Sequence, residues 1–174
     1  MSKWRCEPGH TAVEFAVRHM MVTFVRGYFK NIRGEVDFDP SNPTKSALIL
    51  EIDAFALDTG ERERDAHLRS PDFFDVEKHP KIIFTSTRVE LISATEAKVV
   101  GDLTIRGVKR SETFDVRFLG ISRTPFKDTR VGFLATGEIN RHNYGVSWNS
   151  VMEGGGVVGS DVSLTIDIEA ILTK

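Results

Sequence analysis

The chain has 174 residues, with 23 Lys+Arg against 25 Asp+Glu, a formal net charge of -2 and 40% hydrophobic residues. That length suits one domain spanning residues 1–174, large enough to bury a core without a disulfide or a metal. The near-neutral balance excludes a general pull toward nucleic acid, and no apolar run approaches the roughly 20 residues that span a bilayer, so stable membrane insertion is not expected.

The opening MSKWRCEPGH has no apolar h-region and no small-residue cleavage site, which predicts a cytoplasmic protein. Cys6 is the only cysteine, so no intrachain disulfide can form, and it reads as structural or incidental. Period-two alternation starts at residues 11–18, where Val13, Phe15 and Val17 share one face. HMMVTFV, residues 19–25, breaks the alternation and reads as a short helix or a bent corner. Its Met20, Met21 and Phe24 form an apolar cluster suited to an irregular ligand or to core filling. Residues 28–38 read as one strand with a break at Gly34, since an interior glycine often marks a bulge or bend. DPSNP is turn chemistry, and residues 47–57 form a strand with Leu48, Leu50 and Ile52 on one face.

A charged insert follows. Asp58 reads as its helix cap, with Glu61 three residues on. Residues 61–69 carry charges on most sides and one apolar residue of note, Leu68. Ser70 and Pro71 read as restarting a turn, with a cap at Ser70 and proline at the first helical position. The apolar pair Phe73-Phe74 closes the insert and is expected to turn inward. The stretch Arg64-Asp65-x-His67 admits a histidine general base oriented by aspartate. Ion pairs along a charged helix surface explain the same residues without a cleft.

Strands resume at residues 81–89 and 97–105, the second with Val99, Leu103 and Ile105 in phase. Residues 113–119 align Phe114, Val116 and Phe118, and residues 131–139 align Val131, Phe133, Ala135 and Ile139. Trp148 lies in NYGVSWNS, and its indole N–H needs a partner if buried, from backbone or ligand. EGGGVVG, residues 153–159, reads as a mobile hairpin loop, because it lacks the GK[ST] ending of a phosphate loop. Neither Ser147 nor Ser150 sits in a GxSxG elbow, and the five histidines show no metal-ligand spacing. The last strand, residues 161–170, sets Val162, Leu164, Ile166 and Ile168 against polar neighbours. The sum is an all-β chain of about eight antiparallel strands with a short helical insert around residues 60–75. Periodicity leaves barrel and sandwich open.

With 12 Phe against 2 Tyr and 2 Trp, most aromatic surface has no hydrogen-bonding handle, which fits a Phe-rich core or a greasy cavity. The blocks RDAHLRSPDFF, HPKIIFTST and GDLTIRGV, together with PGHTAVEFAVRHM near the start and INRHNYGVSWN and VVGSDVSLTIDIEA near the end, resemble the YceI-like polyisoprenoid-binding proteins over nearly the whole chain. The resemblance implies an eight-stranded lipocalin-like barrel. Its lumen would hold an isoprenoid lipid, a quinone tail or a similar long-chain amphiphile for carriage, storage or sequestration. It implies no enzyme activity and no other cofactor; a homodimer is left open. The candidate ligand contacts are Phe15, Val17, Met20, Met21 and Phe24 in the first strands, and Phe29, Ile52, Phe74 and Phe84 in the middle. Leu103, Phe133, Ala135 and Trp148 complete them. Two alternatives stand beside this: an enzyme using Asp65 and His67 or an unrecognised metal site, and an interaction module with a filled core.

Overall fold

Period-two alternation buries every second residue, so each strand has a dry face and a wet one, and the dry faces must close on one another. In the computed structural model, which describes residues 1–152 and 155–173, they do so as a closed eight-stranded antiparallel barrel. The first three staves are each interrupted once. The first is β1 (Ser2–Cys6) and β2 (Ala12–His19), separated by a 3-10 turn at Pro8–His10. The second is β3 (Thr23–Phe29) and β4 (Arg33–Phe38). The third is β5 (Ala47–Asp53) and β6 (Leu57–Asp58), separated by a turn at Ala54–Ala56. Four long strands continue the meander: β7 (Lys81–Leu91), β8 (Glu96–Ile105), β9 (Val108–Arg123) and β10 (Thr129–Asn140). A short hairpin, β11 (Val151–Met152) with β12 (Gly155–Gly156), precedes the closing strand β13 (Val158–Leu172). Of the residues 153–159 read as a mobile loop, Glu153 and Gly154 lie outside the described residues.

Closure is made by β13. One edge pairs along β10 from Arg130↔Ile171 to Asn140↔Asp161. The other edge pairs with β2, as in Ile166↔Val13, and then with β1, as in Cys6↔Ala170. β1 is too short and too polar to announce itself by alternation, yet it carries two core residues. Trp4 is buried and its indole N–H donates to the Phe38 carbonyl at 3.1 Å. Cys6 is buried, and desolvation pushes its thiol up to about 11, so it is a protonated core residue, not a nucleophile.

Three readings of local structure are corrected. The break in the second stave falls between Phe29 and Arg33, where Asn31 takes a left-handed φ of 58°, and not at Gly34. Gly34 lies inside β4, where a Cβ would come within 2.5 Å of the Ile49 carbonyl oxygen; the glycine permits close approach of two strands. Residues 19–25 are neither a short helix nor a bent corner: His19 ends β2, residues 20–22 make a tight hairpin turn with the Val22 N–H donating to the His19 carbonyl at 3.2 Å, and residues 23–25 begin β3. The insert has one helix, α1 (Arg62–Arg69). Its cap is Glu61, whose carboxylate accepts from the Arg64 N–H at 2.7 Å and the Glu63 N–H at 3.2 Å. The Asp58 carboxylate accepts from the Gly60 N–H instead, at 2.8 Å. Ser70 ends α1 and, as read, caps the turn at residues 71–74: its hydroxyl accepts from the Asp72 N–H at 3.3 Å and its carbonyl from the Phe73 N–H at 3.0 Å.

The insert is tied to the barrel by a polar knot. Asp65 is buried and accepts from the Thr59 N–H at 3.0 Å and from the Thr59 hydroxyl. Arg64 donates to the Thr59 carbonyl at 2.8 Å, and Arg69 to the Leu57 carbonyl at 2.6 Å. These residues therefore clamp the end of β6, and are not simply a solvated helix face. The carboxylate that partners His67 is Asp72, at 2.8 Å, with both side chains about half exposed. Asp65 does not orient the imidazole. Replacing Asp65 with alanine leaves the Thr59 donors unpaired, a loss of about 1–3 kcal/mol, which at this size lowers Tm by roughly 2–4 °C per kcal/mol. His67→Ala removes a surface pair worth about 0–1 kcal/mol. Melting curves of the two variants side by side check this ranking; an equal loss would show that the knot does not anchor the insert.

Candidate functional site

The inward residues of the staves do not fill the barrel. A cavity of about 270 Å³ runs inside it. Its wall takes Val13, Phe15 and Val17 from β2, Leu48, Leu50 and Ile52 from β5, and Ile82 and Phe84 from β7. On the far side it takes Leu103 from β8, Phe114 and Val116 from β9, Phe133 and Ala135 from β10, and Leu164 and Ile166 from β13. Each set follows parity: Ala135 pairs directly with Val116 on one side and Ile166 on the other, so all three face the lumen.

One end is plugged by the insert. Leu68 of α1 and the Phe73-Phe74 pair reach into the barrel, as expected of an apolar pair in a polar segment. Phe74 packs edge-on against Phe29 with ring centres 5.7 Å apart, and Phe29 against Phe15 at 5.6 Å. Arg141 and Tyr144, from the 3-10 turn Arg141–Tyr144 after β10, close the same end. The wall residues that are solvent-exposed gather at the opposite end: Pro40, Ala47, Leu91, Ala94, Thr95 and Glu96. The mouth therefore lies between the turn joining β4 to β5 and the β7–β8 hairpin.

Polar groups on the wall are few. Arg141 is buried, and all its hydrogen bonds go to carbonyl oxygens: Nε to Gly159 at 2.7 Å, Nη1 to Val146 at 2.8 Å and Trp148 at 2.9 Å, Nη2 to Val158 at 3.2 Å. Desolvation lowers its pKa from the usual arginine value. Tyr144 is fully buried and its hydroxyl donates to Glu112 Oε1 at 2.6 Å. Burial, then the bond to Glu112, raise its pKa well above the usual tyrosine value. Ser46 and Ser86 lie toward the mouth. Among the described residues, no three His, Cys, Asp or Glu side chains gather as metal ligands, and no helix is long and apolar enough to cross a membrane.

The structure brings nine of the sequence candidates onto the cavity wall: Phe15, Val17, Phe29, Ile52, Phe74, Phe84, Leu103, Phe133 and Ala135. Four it does not. Met20 and Met21 form the β2–β3 turn, both with left-handed φ (51° and 61°) and both exposed. Phe24 pairs with Arg18 in the ladder, so it shares the outer face, and the Arg18 guanidinium stands 5.2 Å from its ring centre. Trp148 packs behind the plug, its ring 4.7 Å from the His67 imidazole and 5.5 Å from Phe73. Sequence reasoning missed Ser46, Ser86 and Arg141. Parity holds the signal for the serines, since Ser46 precedes Leu48 by two and Ser86 follows Phe84 by two. No pattern in RHNY marks Arg141 as buried.

The model of the YceI-like domain family matches residues 4–170. The chain belongs to the YceI-like family. A UPF0312 protein of Staphylococcus aureus is 39% identical over 176 residues, covering 100% of both chains. One from Staphylococcus epidermidis is 37% identical over 97% of each. Among solved structures, this YceI-like barrel is similar to the Campylobacter jejuni YCEI protein, with a TM-score of 0.77 at 28% identity over 90% of each chain. It shares its fold with Burkholderia cenocepacia BcnA, TM-score 0.80, 21% identity, 91% of this chain and 95% of that one. It also shares its fold with a polyisoprenoid binding domain of Saccharophagus degradans, TM-score 0.70, 14% identity, 99% and 100%.

Proposed function

We propose that this YceI-like protein binds a long apolar isoprenoid-type lipid, a polyprenyl chain or quinone tail, in the barrel lumen, for carriage, storage or sequestration. The observation that carries the reading is the cavity: an apolar wall plugged at one end by Phe73 and Phe74 and open at the other between Pro40 and Leu91. The shared fold with a domain described as polyisoprenoid binding agrees with it. Burial of methylene-sized groups contributes about 0.8 kcal/mol apiece, so an isoprenoid chain binds with little polar contact. Such a slot separates chains differing by one methylene by only about 1–3 kcal/mol. At about 270 Å³ the cavity falls just below the roughly 300–1,000 Å³ usual for ligand sites. A long chain therefore either displaces wall side chains or extends through the mouth.

The test is organic extraction of the purified protein followed by mass spectrometry, paired with uptake of a fluorescent polyprenyl analogue. A stoichiometric isoprenoid, or saturable uptake, is the expected result. Neither a lipid nor uptake would mean that the barrel is an interaction module.

A further inference from the structure

Exposed apolar side chains are ordinary when scattered and call for an explanation when they gather around an opening. At the mouth they gather. Leu91 and Ile92 stand on the β7–β8 hairpin, 47% and 59% exposed, and Leu119, Ile121 and Phe126 on the β9–β10 hairpin, 60%, 42% and 83% exposed. Leu91 also lines the cavity, so this rim is continuous with the apolar wall of the lumen. The two hairpins touch, the Phe118 N–H donating to the Thr95 carbonyl at 2.8 Å. The β9–β10 ladder then runs past the last β8–β9 pair, Glu96↔Arg117, as far as Thr129↔Arg123, which carries Phe126 out beyond the end of β8. Its turn is braced. The Thr124 N–H donates to the Asp128 carbonyl at 2.9 Å and the Lys127 N–H to the Thr124 carbonyl at 3.0 Å, while Arg130 holds Asp128 at 3.0 Å and Glu169 at 2.5 Å. A phenylalanine on a turn fixed in this way is presented outward with little ordering left to do on contact.

The charge around the mouth is mainly of one sign once its ion pairs are set aside. Arg88 pairs with Glu90 at 2.7 Å, Arg117 with Glu96 at 3.7 Å, and Arg130 with Asp128. Lys45 on the β4–β5 turn, and Arg123 and Lys127 on the β9–β10 hairpin, are exposed and join no ion pair among the described residues. Against them stands Asp39, whose carboxylate accepts from the Ser41 N–H at 2.9 Å. Apolar tips beside unpaired cations fit the surface of an anionic bilayer: the tips reach below the head groups, and each lysine or arginine adds attraction to the negative surface. A second apolar tip, Met20, Met21 and Val22 on the β2–β3 turn, lies at the plugged end, where the Met20 N–H donates to the Val157 carbonyl at 2.7 Å.

We infer that the barrel docks mouth-first on an anionic lipid bilayer, with Phe126, Leu119 and Ile92 immersed in its interface, and that the apolar chain passes directly between bilayer and lumen. The docking is peripheral and reversible. The inference rests on the lipid-binding reading above and adds the surface at which the lipid is exchanged. An apolar tail carried across water loses its burial along its whole length, and a mouth seated in the bilayer avoids that loss. A docked tip at the plugged end would not, so the opening decides between the two tips.

The experiment is flotation of the protein with two vesicle preparations, phosphatidylcholine alone and phosphatidylcholine mixed in equal parts with phosphatidylglycerol. The wild-type protein should float with the mixed vesicles and less with the neutral ones. Phe126→Ser should weaken that binding about tenfold, because the ring supplies much of the immersed apolar area. Arg123→Gln should weaken it about fivefold, on the anionic vesicles only. Val22→Ser, at the opposite end, should change nothing. Phe126→Trp should shift its emission to the blue on mixed vesicles and be quenched by brominated acyl chains, beyond the signal of Trp4 and Trp148 in the wild type. Transfer of a fluorescent polyprenyl analogue from loaded protein should quicken in proportion to the concentration of mixed vesicles, and Phe126→Ser should slow it. A wild type that takes up the analogue but does not float overturns the docking and leaves lipid binding standing. One that floats but takes up no analogue overturns the exchange and the lipid-binding reading together, leaving a docked barrel. Flotation lost in Val22→Ser and kept in Phe126→Ser overturns the mouth-first orientation. A wild-type dimer that ignores vesicles and falls apart in Phe126→Ser assigns the tips to a second copy of the chain and overturns the bilayer.

Discussion

Ala135→Trp is expected to leave the barrel folded with a nearly unchanged melting curve, and to lower uptake of a polyprenyl analogue by more than tenfold. Ala135 is 4% exposed, sits on β10 between Val116 and Ile166, and forms part of the cavity wall. An indole built there points along the space a ligand tail would take, and a cavity of about 270 Å³ can receive it. Displacing two methylene-sized groups of the tail removes about 1.6 kcal/mol of burial, which exceeds a factor of ten in affinity. The contrary case is a packed core, in which the added ring costs about 1–3 kcal/mol through overpacking and binding is not involved. Thermal melting paired with fluorescent uptake separates the two. A collapse in Tm, or unchanged uptake by a folded variant, would refute the placement of the lumen at this height.

Arg141→Lys should be among the more damaging single substitutions, despite conserving charge. The guanidinium reaches carbonyls on both sides of the plug: Val146 and Trp148 after the 3-10 turn, Val158 and Gly159 at the start of β13. A fork of five donors spans these positions; an ammonium is a compact point with three donors and cannot. Leaving two carbonyls unpaired costs about 1–3 kcal/mol each. For a domain of this size, each kcal/mol lowers Tm by roughly 2–4 °C. The expected fall is therefore at least about 4 °C, read by differential scanning calorimetry. A change below about 2 °C would show that the carbonyls find other partners. Because these bonds close the end of the cavity beside Phe73, a folded Arg141→Lys protein should also release bound analogue faster.

Much of the cavity wall was legible before any coordinates. Val13, Phe15 and Val17, or Phe133 and Ala135, are in phase along the chain, and a pleated strand sends residues in phase to one face. The pair Phe73-Phe74 could be assigned inward because two phenylalanines at the end of a charged segment have nowhere else dry to go. The same local reasoning misplaced Met20, Met21 and Phe24. It read hydrophobicity as burial, whereas a strand facing Arg18 across the β2–β3 ladder had to send Phe24 outward. It also put the helix cap at Asp58, because sequence spacing does not say which carboxylate the first turn of α1 will meet.

By itself, then, the alternation of residues determined that this is an antiparallel β protein with one dry face and a polar insert, since strand parity is a property of neighbours in the chain. Only the tertiary structure decided that the dry faces enclose a cavity, that the insert plugs one end, and that the mouth opens beside Ser46. Closure depends on β13 sharing one edge between β1 and β2, and the buried roles of Trp4, Cys6 and Arg141 exist only once that edge is made. Those contacts join residues far apart in the chain, and a periodicity that repeats every two residues carries no information about partners more than a hundred and fifty residues away.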